Sequence, residues 1–475
     1  MAERAKLAED ESKTGQPVEA DYLIIGAGAV GMAFADTLLS ETEATIALVD
    51  RRHLPGGHWN DAYSFVRLHQ PSAYYGVDSW PLGSGEKDVA GLNKGFYELA
   101  SGYEVLAYFD QVLRRRFLPS GRVEYFPMSD VGPDLSVSSL VSGERRLAKP
   151  RKVVDASYMK FSVPSMRPPQ YAVAAGVACV PPNDLPRMAH AYGDYVVIGA
   201  GKTAMDACVW LLENGSDPDR IRWIMPRDFW LLDCAVVQPG KEFLVPFTRS
   251  VADQVEALAQ GRSVDDVFAR LEACGVVKRI DGAVAPTAFH CAVIGQGELE
   301  LLRRIDNVVR LGRVIRIDAD QIVLERGVVA ANRDSLYIDC SASGITRAPS
   351  KPVFEGNRIT LQMVRMCQPT FSGSLIAHVE AAHQDEAEKN RICTPVPPPD
   401  TPADWVRLMA LELANRAYWA ANDDLRVWQA GARIDVLVRQ IAALDGTETE
   451  VIKQLGRYGK LAALAAANAS VLSAN

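Results

Sequence analysis

No apolar run among the 475 residues approaches the roughly 18 needed to cross a bilayer, and the opening segment AERAKLAEDESK lacks the apolar stretch of a secretory leader. A membrane partner is therefore not expected, and the expected compartment is cytoplasmic. Clustered basic charge is equally scarce. Fifty-one Lys and Arg stand against 59 Asp and Glu, a net charge of −8, and the longest basic run is Arg114 to Arg116, so nucleic acid is not an expected partner. The eight cysteines contain no CxxC or CxxxxC, and the two nearest in sequence are Cys274 and Cys291. That spacing speaks against dithiol redox chemistry and for reduced, buried thiols acting as small apolar side chains. The seven histidines offer no HExxH, and His378 and His383 stand five apart, so no metal site is expected. GAGKT at 199–203 lacks the spacing of a P-loop, and no Ser-His-Asp or paired-carboxylate arrangement can be read from spacing, so no general base is named.

The chain does have an ordinary globular composition, 48% hydrophobic and 23% charged, with length for two or three domains. It also has two glycine fingers about a third of its length apart. The first is Gly26, Gly28 and Gly31 in DYLIIGAGAVGMAFADTLL. Tyr22 to Ile25 reads as a buried strand and the Ala-rich stretch after Gly31 as a helix. Gly26 permits the tight turn, Gly28 lets backbone approach a pyrophosphate, and Gly31 lets helix and strand touch. The first-turn amides of Ala29 and Val30 would then face the phosphates, where the helix dipole favours anions. A second strand, Thr45 to Val49, ends at Asp50, nineteen residues past Gly31, where a carboxylate accepts hydrogen bonds from ribose hydroxyls; Arg51 follows it.

The second finger, Gly199 and Gly201 in YVVIGAGKTAMDACVWLL, puts Ala204 at the third glycine position. Lys202 and Thr203 would lie beside the phosphates. The next strand, Ile221 to Met225, leads to Pro226 and Arg227, and a guanidinium there suits the 2′-phosphate of NADP, although Asp228 is adjacent. Two fingers imply two nucleotides.

Along the chain, residues 1–19 read as a disordered polar tail. A helical patch spans Val105 to Arg116, and strands are expected at Val123 to Phe126, Leu135 to Leu140 and Lys152 to Ala156. Pro164 to Pro186 is punctuated by six prolines, as a linker would be. A helical insertion is expected at about 240–300, a hairpin around Ala319 and Asp320, and a strand at Ser335 to Gly344. Beyond TPVPPPDTP at 394–402 the chain reads as helical. Trp405, Leu408, Met409, Leu411, Leu413 and Trp419 there form an apolar face for the body or for a second subunit, so a homodimer through these helices is the expected assembly.

The order GAGAVG, GGHW at 56–59, VVDASYMKFSVP, VVIGAGKTAMDA and LYIDCSASG resembles the flavin-containing monooxygenases and related FAD/NAD(P)-dependent oxidoreductases, over about residues 20–390. The resemblance implies an α/β fold of two Rossmann-like dinucleotide-binding domains with a helical C-terminal extension. The FAD domain would comprise 20–160 and 335–393, the NADPH domain 190–334, and the extension 403–475. It implies FAD at the first finger and NADPH at the second. Gly57, His58 and Trp59 would lie beside the flavin nucleotide, Val131 would meet the adenine through its backbone, and Ser343 and Gly344 would stand at the crossing between domains. In LHQP, Gln70 would be the amide that reaches the flavin ring, with His69 as its catalytic neighbour. The fingerprint FxGxxxHxxx[YF] is absent before the second finger, where the chain reads AGVACVPPNDLPRMAHAYGDY. The implied activity is reduction of FAD by NADPH and oxygenation of a small organic substrate by molecular oxygen through a flavin C4a-peroxide. The alternatives are a reductase or dehydrogenase that inserts no oxygen, and a dinucleotide-binding sensor without turnover.

Overall fold

The computed structural model describes residues 16–474 apart from Ser343 and Thr346. Two parallel sheets dominate it, each built around one finger. In the first, the strands run Phe354–Glu355, Arg358–Thr360, Arg145–Asp155, Val18–Ile25, Ile46–Val49, Val123–Phe126. Every neighbouring pair in that row is parallel except the hairpin at its Phe354 edge. The central strands are continuous apolar runs because helices or loops cover both faces; Leu23, Ile24 and Leu48 are fully buried. The first strand begins at Val18, inside what the sequence reads as tail, because Val18 to Ala20 pair with Ala148 to Pro150.

The second sheet runs Ala178–Val180, Ser335–Asp339, Asp194–Ile198, Ile221–Ile224, Val308–Val309, all parallel. This corrects two expected boundaries. The strand Ser335–Asp339 lies between two strands of the second unit, so 335–339 does not belong to the first, and the second unit already begins in the Pro-rich stretch rather than at 190. The chain returns to the first sheet through Gly344–Ile345, which pairs antiparallel with Phe161–Ser162 on the outgoing crossing. The expected hairpin is present as Val314–Ile317 against Gln321–Leu324.

The region 240–300 is not helical throughout: Leu244–Gln260 and Val264–Ala273 are helices, and the short helix Gln296–Leu302 begins at its end. Its second half supplies Val277–Lys278 and Ala288–Ile294, which flank Phe229–Asp233 in a three-stranded sheet. The C-terminal helices Pro402–Ala421 and Thr449–Ala474 close over that sheet. Trp405, Met409 and Leu413 pack with Phe268, Phe289, Ala465 and Ala469, and Asn468 donates to the Leu258 and Gly261 carbonyls at 2.7 and 2.8 Å. Of the two covers expected for that apolar face, the body of this chain supplies one, and only Leu411 of the face is exposed. Among the described residues no helix is long and apolar enough to cross a membrane.

Candidate dinucleotide and active site

At the first finger the close approach of helix and strand is measurable. A Cβ on Gly31 would lie 2.1 Å from the Gly26 carbonyl oxygen and 3.0 Å from Ala156 Cβ, so only glycine fits there. The helix Ala29–Glu41 has Gly28 as N-cap with no side-chain cap and no acidic residue in its first turn. Its first intrahelical bond is Met32 N–H to Gly28 O, which leaves the amides of Ala29, Val30 and Gly31 ahead of the ladder. Gly28 and Gly57 face one another: a Cβ on Gly57 would lie 3.0 Å from Gly28 Cα, and Gly56 N–H donates to the Ala27 carbonyl. GGHW therefore wraps the finger and forms a cradle of bare backbone with an electropositive helix end, which suits a pyrophosphate.

Asp50 stands at the end of its strand, buried, accepting from Ala27 N–H at 2.7 Å and Arg52 N–H at 2.8 Å. Burial raises its pKa, opposed by these two amides. Arg51 points outward to Asp130 at 3.4 Å. Val131 ends a hairpin strand whose first residue, Ser129, donates its amide to the Asp50 carbonyl, so that hairpin lies beside Asp50.

Trp59 is a buried wedge whose indole N–H donates to Tyr75 Oη at 2.8 Å. His58 stacks on Phe161 at 4.5 Å, one residue from Ser162, the partner of Gly344. The GGHW turn and the domain crossing are therefore neighbours. Ser343 lies outside the described residues.

The second finger repeats the backbone but not the electrostatics. Gly199 has φ +129, and a Cβ there would lie 2.6 Å from the Cys340 carbonyl oxygen, where the strand Ser335–Asp339 ends. Gly201 caps Lys202–Glu213 in open space, and the amides of Lys202 and Thr203 precede the first bonds to the Gly201 carbonyl. Lys202 Nζ, however, is held by Asp206 Oδ1 at 2.6 Å and by Glu298, while Tyr63 Oη donates to Asp206 at 2.6 Å. Burial works against the Lys202 charge, but the two carboxylates outweigh it and hold the ammonium above its ordinary pKa. Arg227 is likewise engaged: its two terminal nitrogens donate to Asp400 at 3.0 and 2.7 Å, and His290 and Arg347 reach the same carboxylate. The Arg227 hydrogen bonds foremost hold Asp400 far below the usual carboxylate range. Asp228 pairs instead with Arg310 at 2.9 Å.

Beside the second finger lies a cavity of about 330 Å³ lined by Leu68, His69, Lys202, Asp206, Trp210, Val293 and Glu298 among others. His69 Nδ1 accepts Val293 N–H at 3.3 Å, so in the neutral ring the proton sits on Nε2. Gln70 Oε1 accepts from Gln368 Nε2 at 3.5 Å, at the N-cap of the helix Pro369–Ala382. Burial first, then Lys202, lowers the His69 pKa to about 4, and burial with Arg52 does the same to His58.

Both rings are thus neutral when folded, whereas the unfolded value is near 6.5. Their contribution to stability is present above pH ~6.5 and lost as pH falls through about 4, because unfolding takes up protons in that window. The urea midpoint should therefore drop between pH 7 and 4.5, and His58→Gln with His69→Gln should flatten that drop. An equal slope in the variant would contradict the assignment.

The family of NAD(P)-binding Rossmann-like domains matches residues 24–81, which span the first finger, Asp50 and GGHW. The Mycobacterium tuberculosis protein Rv2000 is 50% identical over 428 residues, 90% of this chain and 80% of its own length, and the Mycobacterium bovis protein Mb2023 matches to the same extent. This chain belongs to their family. Among solved structures, an oxidized steroid monooxygenase bound to NADP superposes with a TM-score of 0.50 at 15% identity, over 77% of this chain and 85% of that one. That likeness is one of fold, the two-dinucleotide-domain architecture that the sequence motifs imply.

The fingers can be read in the sequence of this chain, but several other groups carry no local signal there. Asp400 sits in a proline-rich stretch that reads as a boundary, yet it holds Arg227. Glu298 meets Lys202 across 96 residues, and Cys291 is joined to Cys367 as a disulfide across 76. The expectation that all eight cysteines are reduced is therefore corrected. Sequence spacing tests only neighbours, and this pair is made by folding.

Proposed function

We propose that the chain is an FAD-containing, NADPH-dependent oxidoreductase, and within that class a monooxygenase of small organic molecules. The observation that carries the FAD assignment is the bare cradle of Gly28 against Gly57 at the open end of an uncapped helix, with Asp50 at the neighbouring strand end. Bound there, FAD supplies two-electron chemistry and reactivity toward oxygen; the protein orients it and excludes water. Ala29, Val30 and Gly31 bind the pyrophosphate through their amides, and Asp50 binds the ribose. Gly201 leaves the backbone approach open at the second finger, and Lys202 and Thr203 present the amides that would hold NADPH. His69, neutral and protonated on Nε2, is a donor to whatever occupies the cavity, while Gln70, the next residue, is paired with Gln368.

Arg227 is the cation available to a 2′-phosphate, which would compete with Asp400 for the same fork. Arg227→Ala should raise the KM for NADPH by about tenfold or more, the worth of one charge-assisted contact, and leave the KM for NADH unchanged. Equal loss with both nucleotides would remove Arg227 from the site. Oxygenation is tested by turnover under ¹⁸O₂: label in the product supports the monooxygenase, and NADPH consumption with peroxide release and no labelled product supports the reductase reading.

A further inference from the structure

We propose that Cys291 and Cys367 form a redox-active disulfide that accepts the electrons of the reduced flavin; this rests on the FAD and NADPH reading above. The two cysteines are 76 residues apart with Cα atoms 6.4 Å apart, and each is placed by an irregularity of the backbone. In the sheet Phe229–Asp233 with Ala288–Ile294, Trp230 pairs with Phe289 and Leu232 with Val293, so His290, Cys291 and Ala292 oppose the single Leu231. Such a bulge re-aims a side chain, and Cys291 is its centre, with φ +55. Cys367 lies in the turn before the helix Pro369–Ala382, with φ +58. Among the described non-glycine residues only Met128 and Leu135 share that sign. Left-handed backbone is disfavoured for any side chain with a Cβ, and residues held in it cluster where chemistry occurs. Both ends of one bridge are so held.

The position of the bridge relative to the first finger follows from two helices. Ala29–Glu41 and Pro369–Ala382 run side by side in the same direction: Gly373 lies against Val30, Ser374 Oγ donates to the Ala33 carbonyl at 3.4 Å, and His378 Nδ1 meets Glu41 at 2.7 Å. Their N-termini therefore open on the same side, the side on which a dinucleotide meets Gly28. Cys367 precedes the second helix by two residues, and its neighbour Gln368 reaches Gln70. On the other arm, Val293, two residues past Cys291, donates its amide to His69. The disulfide thus joins the two strips of chain that hold His69 and Gln70. Cys291 is buried and Cys367 half-buried.

In the step, the S–S bond breaks as Cys291 and Cys367 accept two electrons and two protons, and two thiols form. The reductant is FADH₂, which is thereby oxidised to FAD, and NADPH with one proton restores it. The couple gives electrons a destination inside the protein that needs no oxygen.

The test is an anaerobic NADPH titration of the FAD-loaded full chain, with alkylation under denaturing conditions and intact mass before and after. The six remaining cysteines alone should alkylate in the oxidised protein. Reduction should consume two equivalents of NADPH per FAD and raise the alkylated count to eight. Cys291→Ser/Cys367→Ser should consume one equivalent with no change in count. Flavin bleaching by a single equivalent in the wild type with an unchanged count would overturn the proposal, and so would eight alkylated cysteines before any reductant. Absence of bleaching would instead overturn the cofactor reading on which it rests. The wild-type counts decide the matter even where the serine variant does not fold.

Discussion

Gly28→Ala should leave the apoprotein folded with an unchanged unfolding midpoint and weaken FAD binding by at least about tenfold, roughly 1.4 kcal/mol. Gly28 has φ −73 and ψ 175, ordinary values for any residue, and an added Cβ would meet nothing closer than Gly57 Cα at 3.6 Å. The protein alone has no reason to exclude alanine there. A pyrophosphate resting on the Ala29–Glu41 N-terminus does, because the methyl group fills the space through which the phosphate reaches the backbone amides. Gly31→Ala is the contrasting case. Its Cβ would lie 2.1 Å from the Gly26 carbonyl oxygen, so helix and strand must part with or without cofactor. The expected cost is at or above the upper end of the ~1–3 kcal/mol typical of overpacking. FAD fluorescence titration together with urea unfolding separates the two variants. Equal FAD affinity in Gly28→Ala and the wild type would show that no ligand approaches this backbone.

The second large effect is expected at Lys202. Its ammonium neutralises part of the charge of Asp206 and Glu298. Lys202→Met leaves two carboxylates facing each other in a half-dry cavity, with Tyr63 as the donor still on Asp206. Loss of one partner from such a cluster costs roughly 2–4 kcal/mol once partial solvent access is allowed for. Glu298→Gln in the same chain should return most of that stability, since it removes the surplus negative charge. Urea unfolding of the four proteins in this double-mutant cycle gives the coupling directly. Strict additivity of the two substitutions would mean that the contact contributes nothing.

What could be read from the sequence was local. Gly26, Gly28, Gly31 and Asp50 lie within 25 residues, and strand, turn, helix and second strand each leave their own periodicity, so the first unit stands where it is expected. The boundaries were harder. Ser335–Asp339 is an apolar strand of the right length for either sheet, and only its pairing with Asp194–Ile198 decides which. The distant charge partners were not legible. Arg227 read as a free cation because Asp400, which holds it, comes from 173 residues away, and of the two carboxylates on Lys202 only Asp206, four residues on, is local, Glu298 lying 96 residues away. The same limit hid the Cys291–Cys367 bridge, whose ends are brought together by a bulge and a helix-capping turn. The apolar C-terminal face was correctly read as needing cover, but a stripe carries no label for its partner, and the partner is the sheet and helices of residues 229–294.

The measurement that bears most directly on the central claim is rapid anaerobic mixing of the FAD-equilibrated protein with NADPH while the flavin absorbance near 450 nm is followed. If the first finger holds FAD and the second delivers hydride to it, the band bleaches with a rate that saturates in NADPH. The same trace should fail in Gly28→Ala at FAD concentrations that saturate the wild type. Protein that takes up no FAD, or that binds FAD whose band NADPH leaves untouched, would contradict the account.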